Sequence, residues 1–541
     1  MKHRGYLFLI TIIISLFVTA CVKNDSETSV EPSDKEIENL NDSGFPIVKD
    51  EITLDFFAGQ QPATHPDWND VLIFNEYEKI TNMNIEWEMV SHESLSEKLQ
   101  LTLGGGNLPD AFHSARISMN DMSKYGEQGV LIPLNDLIDD YAPNFKKILD
   151  EHPIIKKSIT HPDGNIYSFP TMSDPSFTSS RLGARPFIHK QWLESLNMDM
   201  PETTDEFYQF LKSVKEDSPS NGEIDEVPFG GPYIDTLITY LQGSFGLANK
   251  GGSNPYLDED PETGKLRFFP ISDQYKEMIE FVHKLYEEEL IEQNIYTIDH
   301  HQFISNLSEG QYGSVVWYAP EEVASKEHGK YYVGMPALEG PHGDKGIVQH
   351  DPVDTPGAFV ITNKNEFPAA TVRWVDYFYG DEGMTLFYMG IEGETYEIND
   401  EGNPEYMDHI LNNEEGLTFE EAAAKYLTFP GGGYPGNTTA ELYKGVASAP
   451  QSIEAAEKVE PDLLKDDDVW TTFTHTKDEI SQLQGFGSDI EKYVIEMRDK
   501  FISGNEPLSK WDEYVKEIEG MGLEDYLKIK QAALDRQLKD E

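Results

Sequence analysis

The chain has 541 residues, 38% of them hydrophobic and 11% aromatic, enough for two or more lobes because single cores rarely grow past about 300 residues. Forty-two Lys and Arg stand against 98 Asp and Glu, a net charge of −56, so no basic face is available to neutralise phosphates and nucleic acid is not expected as a partner. The negative mean hydropathy excludes a multi-span membrane protein, and the dense carboxylates suit a surface that stays hydrated in salty or alkaline surroundings.

Lys2, His3 and Arg4 open a targeting segment, Leu7 to Val18 is apolar, and Val18-Thr19-Ala20-Cys21 supplies a small-residue cleavage site. The apolar stretch of about 14 residues is shorter than the roughly 18 to 20 that a membrane span needs. Val-Thr-Ala-Cys resembles the lipobox of bacterial lipoproteins, which implies a cleaved signal peptide over 1–20, lipidation of Cys21 and anchoring to the outer face of the cell membrane. Residues 21–50, rich in Ser, Asp, Glu and Asn, read as a flexible tether. Cys21 is the only cysteine, so no internal disulfide can form.

Beyond the tether, Glu51-Ile-Thr-Leu-Asp-Phe-Phe-Ala58 alternates like a strand, Trp68 to Ile80 has helical periodicity, and Asn84 to Val90 is a second strand. Ser94 caps an expected helix to Leu103, which ends at Gly104-Gly105-Gly106, and Pro109 to Phe112 is a short strand. Gly129 to Ile138 suggests a strand feeding a helix, and Asp163-Gly164 a turn before the extended Ile166 to Pro170. A second alternating block runs from Arg185 to about Ala337, with Thr204 or Asp205 capping the helix Phe207 to Val214 and an amphipathic helix over Tyr275 to Leu290. Gly357 to Thr362 is extended, Ala369 to Tyr379 is helical with Trp374 and Tyr377 facing the core, and the chain from Ser452 is mostly helical. The expected architecture is α/β and two-lobed: 51–170 forms a first lobe to which about 350–400 returns, 171–349 a second, and 401–541 a helical part packing on the second lobe.

Leu108-Pro-Asp-Ala-Phe112, Gly129-Val-Leu-Ile-Pro-Leu134, Asp163-Gly-Asn-Ile-Tyr-Ser-Phe-Pro170 and Lys190-Gln-Trp-Leu-Glu-Ser-Leu196, followed by Pro201 to Phe207, occur in an order that carries a resemblance. Gly390-Ile-Glu-Gly-Glu-Thr-Tyr396, Trp511-Asp-Glu-Tyr-Val, Gly522-Leu-Glu-Asp-Tyr and Ala533-Leu-Asp-Arg536 extend it over nearly the whole mature chain. Together they resemble the group 1 extracellular solute-binding proteins, the lipoprotein components of Gram-positive oligosaccharide ABC importers. The resemblance implies a periplasmic-binding-protein-like fold with discontinuous lobes, an oligosaccharide ligand in the interlobe cleft, an ABC permease as partner, a monomer, and no catalysis. The alternative is a surface-anchored glycoside hydrolase or polysaccharide lyase, since an acidic chain always contains carboxylate pairs; a ligand-sensing lipoprotein is a third reading.

A sugar site needs aromatic walls for C–H faces and planar polar groups for hydroxyls. Trp317 and Tyr318, ending the apolar run Ser314-Val-Val, are the first candidates. Glu392 and Tyr396 sit in a glycine-rich segment that resembles the family's loop near the ligand. Gln60 and Gln61 follow the first strand, and His113, Ser114 and Arg116 the third. Arg181 and Arg185 fit either a salt bridge or a uronate carboxylate. Trp470 has no assigned role. Asp217-Ser-Pro-Ser-Asn221-Gly222-Glu223-Ile-Asp225-Glu226 resembles a calcium loop of some family members, which implies Asp217, Asn221, Asp225 and Glu226 as side-chain ligands and Glu223 through its carbonyl; Pro219 breaks the third position. Asp299, His300 and His301 do not suit a metal, because adjacent histidines face different directions on a regular element. The glycine loop 431–436 lacks the lysine and hydroxyl residue of a nucleotide loop.

Overall fold

Strand β1 (Ile52–Gln60) shows why the first lobe has cores on both faces. Its period-2 side chains divide between them, Leu54 and Phe56 entering one core and Phe57 the other. The computed structural model describes residues 30–60, 64–220, 225–400, 402–415, 417, 419–428 and 434–539. β1 pairs in parallel with β2 (Met83–Ser91) and β3 (Ala111–His113). β4 (Ser168–Ser173) lies further along, and β5 (Arg185–His189), β6 (Val227–Gly230), β7 (Tyr312–Trp317) and β8 (Tyr332–Gly334) belong to a second sheet. β9 (Val353–Ile361) returns to the first sheet, and β10 (Gly436–Thr438) closes its far edge.

The first sheet has the order β10-β4-β9-β3-β1-β2, with β9 antiparallel to β3 and β4. The second has the order β8-β5-β7-β6, with β7 antiparallel to β5 and parallel to β6. Three segments join the lobes: 174–184 leads from β4 to β5, 335–352 from β8 to β9, and 439–449 from β10 to the helix Pro450–Val459, which packs on β8 and β5. Such multiple crossings let two rigid bodies rotate about a short hinge.

Local structure departs from the sequence expectations in four places. The helix after β2 runs His92–Gly105, so Ser91 occupies the N-cap position and Ser94 lies inside it. Thr203, not Thr204 or Asp205, caps Thr204–Asp217, in a capping box with Glu206. The expected strand before the helix Asn135–Tyr141 reduces to one bridge, Leu131 to Thr362, because Pro133 removes a ladder donor. The expected tether stops short of Asp50: a helix spans Asp34–Asn39, and Ile47 and Val48 are buried in the first core. There Glu36 is buried and accepts the Ala370 N–H at 2.9 Å, while Arg373 donates to the Asn41 and Gly44 carbonyls. Burial pushes the Glu36 carboxyl up to about 7.

The region after residue 400 divides between the lobes instead of packing wholly on the second. Tyr406, Ile410, Leu427, Tyr434 and Leu442 complete the first core, whereas Ala456, Ile490, Val494, Phe501 and Tyr526 belong to the second. The 27-residue helix Lys477–Ser503 begins with a capping box between Thr476 and Glu479. Arg536 of the last helix donates to Glu479 at 2.6 Å, tying that start to the end of the chain.

Candidate functional site

The parallel strands β6 and β7 end at one edge of the second sheet, where an α/β layer opens toward a cleft. Val315 and Val316 are buried, whereas Trp317 emerges half-buried and Tyr318 is 36% exposed. Tyr233, three residues beyond β6, is 47% exposed and meets the Trp317 ring edge-on at 5.9 Å and 82°. Tyr318 meets Trp317 at 5.0 Å and 70°, and Phe303 packs edge-on against the indole at 5.6 Å and 82°. Three aromatic rings thus share a partly exposed wall whose central member is fixed by packing. Tyr233 is a member that sequence reasoning missed; the pattern Gly230-Gly-Pro-Tyr after a short strand was the available signal.

The first lobe presents the carboxyl ends of β1 and β3. Gln60 is half-buried, with its Nε2 donating to the His65 carbonyl at 3.5 Å; Gln61 lies outside the described residues. His113 proves to be core. It is 1% exposed, lies 5.3 and 5.2 Å from the Trp68 and Trp87 rings, and pairs with the Ser114 hydroxyl at 2.9 Å. Desolvation lowers its pKa to about 3, so it stays neutral. Ser114 is buried too, while Arg116 is exposed. Both have left-handed backbones, φ 54° and 53°, a strain that surrounding structure must impose. Part of that constraint is Gly59, where a Cβ would lie 2.3 Å from the Ser114 carbonyl oxygen. The resulting turn delivers the Arg116 side chain to an interlobe cavity of about 530 Å³ that also touches Asn254, Tyr526 and Lys530 of the second lobe.

The two arginines of the first crossing behave differently. Arg181 forms a salt bridge with Asp466 at 2.7 Å and donates to the His350 carbonyl, a structural clamp between crossings. Arg185, the cross-strand neighbour of Trp317, is 1% exposed. Its Nη2 donates to the Ser179 carbonyl and, at 2.8 Å, to the Ser179 hydroxyl, which in turn donates to Ala447 at 2.6 Å. Its Nε and Nη1 have no partner. Desolvation lowers the guanidinium to about 10.

Glu392 and Tyr396 are not brought to the aromatic wall. Glu392 is exposed on a turn whose Gly390 and Gly393 adopt φ 86° and 81°, and Tyr396 is buried in the first core. The turn is built by Thr395, whose hydroxyl donates to the Met389 carbonyl and accepts the Ile391 N–H. Trp374 is 1% exposed at the centre of the first core, Tyr377 stacks on Tyr77 at 5.0 Å, and Trp470 packs on Phe473 at 5.7 Å. Asp299 caps the helix His300–Ser308 through the Gln302 N–H, and His300 lies 5.9 Å from Trp317. Asp217 ends its helix, and Glu226 accepts the Ser220 N–H at 2.5 Å across the loop. Asn221 and Glu223 lie outside the described residues, and the described residues hold no group of three or more metal-ligating side chains.

Two α/β lobes, three crossings and a partly exposed aromatic wall, whose Tyr233 lies beside residues of two crossings, define a two-lobed binding protein of the periplasmic-binding-protein-like fold. The model of the bacterial extracellular solute-binding proteins matches residues 63–385. The fructooligosaccharide ABC transporter substrate-binding protein FusA of Streptococcus pneumoniae is 30% identical over 531 residues, 94% of each chain. A solved structure of FusA in complex with kestose is 28% identical, covers 91% of this chain and all of its own, and superposes with a TM-score of 0.73. A FusA EF-hand mutant in complex with fructo-nystose gives 27% identity and a TM-score of 0.72, with 91% of this chain and all of that one covered. The chain belongs to the bacterial extracellular solute-binding protein family.

Proposed function

We propose that this protein captures an oligosaccharide between its lobes and delivers it to a membrane ABC permease, anchored through a lipid on Cys21. The observation that carries this reading is the wall of Tyr233, Trp317 and Tyr318: such rings stack on sugar C–H faces, and Tyr233 and Tyr318 stand exposed beside the half-buried Trp317, apolar surface that a ligand would cover. FusA, similar over nearly the whole chain, supports a saccharide ligand and ABC import. Closure on the sugar would bury the wall and turn binding energy into a surface the permease recognises. No bond need be broken.

Calorimetric titration of the purified protein with fructo-oligosaccharides, other neutral and acidic glycans, and peptides tests the ligand class. A saccharide is expected to bind with micromolar or tighter Kd; binding of peptides alone overturns the reading. In cells, Cys21→Ser should release the protein into the medium.

The Asp217–Glu226 loop is proposed to hold a structural calcium ion through the carboxylates of Asp217, Asp225 and Glu226. The oxygen-rich donor types suit a hard cation, and the EF-hand named for the FusA mutant supports the reading. Calcium at a hundredfold excess over its Kd would add about 2.7 kcal/mol to the folded state. Melting in calcium against chelator should therefore show a rise of several degrees, and equal melting points would remove the ion.

A further inference from the structure

The crossing 335–352 changes allegiance within three residues. Up to Gln349 it belongs to the second lobe. The Gly252 N–H donates to the Gln349 carbonyl at 2.9 Å, a Cβ on Gly251 would lie 2.9 Å from the same oxygen, and the Gln349 side chain donates to the Leu464 carbonyl at 3.0 Å. From Pro352 it belongs to the first lobe, where the Ser173 N–H at the end of β4 donates to the Pro352 carbonyl at 2.9 Å and β9 begins at Val353. Rotation of the lobes through this crossing is therefore concentrated around Asp351.

The Asp351 side chain spans the change. Its carboxylate is buried, 6% exposed, and has no ion pair among the described residues. Oδ1 faces the first lobe: it accepts the Val353 N–H at 2.9 Å and lies 3.4 Å from the Ser158 hydroxyl, whose proton it shares with the Ile154 carbonyl at 2.9 Å. Ser158 sits on the helix Pro153–Ile159, which buries Ile155 and Ile159 in the first core. Oδ2 faces the second lobe and accepts the Ser253 hydroxyl at 2.8 Å, and the Ser253 oxygen accepts the Asp351 N–H at 3.3 Å. Ser253 is held in the second lobe by its neighbour Asn254, which donates to the Thr471 carbonyl and accepts the Phe473 N–H.

One carboxylate thus has an oxygen on each lobe. Hydrogen bonds weaken steeply as they stretch and misalign, so the full set survives over a narrow range of interlobe angles. The range observed is one in which the aromatic wall is accessible, with Tyr233 47% and Tyr318 36% exposed and a cavity of about 530 Å³ between residues of the two lobes.

We propose that Asp351 is a positioning residue that latches the lobes in the accessible arrangement, and that closure on a saccharide breaks its hydrogen bonds with Ser253. The proposal rests on the proposed capture function and adds the residue that sets its cost. Bonds present only in the accessible form subtract from the affinity that the cleft contacts alone would give. Removing the Ser253 bond to the carboxylate should shift the balance about fivefold toward the closed form.

The test is small-angle X-ray scattering of the purified ligand-free protein, paired with calorimetric titration of kestose, on wild type, Ser253→Ala, Asp351→Ala and Asp351→Asn. Ser253→Ala and Asp351→Ala are expected to show a smaller radius of gyration than wild type and to bind kestose about fivefold more tightly, an improvement that a loss of packing alone would not produce. Asp351→Asn should keep the wild-type radius, because its amide can still accept from Val353 and donate to Ser253. An unchanged radius in folded Ser253→Ala would mean that the bonds persist through closure, and a larger radius or weaker binding that they belong to the closed form; each overturns the proposal. If Asp351→Ala does not fold, Ser253→Ala, at a half-buried position, decides. If kestose binds neither wild type nor variants, the radii alone decide the latch, while the glycan and peptide titrations decide the function on which it rests.

Discussion

Trp317→Ala is expected to weaken ligand binding about 30-fold. The indole is packed edge-on by Phe303, Tyr233 and Tyr318, so it presents a fixed surface with little rotamer entropy left to lose on binding. Removing the ring surrenders roughly 80 Å² of apolar contact, about 2 kcal/mol at 25 cal/mol/Å², which corresponds to that factor in Kd. Trp317→Phe should retain most of the affinity, and Tyr233→Ala should lose less than Trp317→Ala because Tyr233 lies at the rim. Titration of each variant, with circular dichroism to confirm folding, checks the series. An unchanged Kd in folded Trp317→Ala would take the indole out of the site.

Stability should fall as the solution is made acidic from pH 7 to 4. Desolvation lowers His113 and His475 to about 3 and His161 and His189 to about 4. In the unfolded chain these imidazoles titrate near 6.5, so their contribution is complete above that value and is lost as pH falls toward the folded pKa. By pH 5 each costs about 2 kcal/mol. Seven carboxylates raised by burial act in the opposite sense: Glu36, Asp110, Asp258, Glu292, Asp351, Asp376 and Asp499. Burial raises Glu36 to about 7 and Asp376 to about 6, so protonation at pH 5 favours the folded state by about 3 and about 1 kcal/mol. That gain saturates near the unfolded carboxylate pKa, while the histidine loss continues. Urea denaturation at pH 8, 5 and 4 should give falling midpoints; a midpoint at pH 5 equal to that at pH 8 would refute the histidine account.

The lobes were legible because their strands carry strong patterns: β1 alternates, and Gly357 to Ile361 reads as buried on both faces. Trp317 was legible for the same reason, as the first partly exposed residue after a buried run. His113 was misread because a three-residue strand offers no periodicity, and its end lies under Trp68, Trp87 and Tyr434 instead of in an open loop. Those contacts come from residues 26 to 321 positions away, beyond any local signal. The segment 404–442 was assigned to the wrong lobe on similar grounds, since its return to the first core depends on Tyr406, Leu427 and Tyr434 finding partners distant in sequence. Arg185 could be weighed only as a charge; the lack of a carboxylate beside it is visible only in three dimensions.

The docking of residues 34–48 against the first lobe has a mechanical consequence. Were Cys21 lipid-anchored as proposed, the nine residues that carry the chain on to Val30 would span at most about 30 Å. The leash therefore ends on one lobe alone, through Glu36, Ile47 and Val48. On the proposed anchoring, that lobe would be the fixed jaw, and the jaw bearing Trp317 would be the one free to swing.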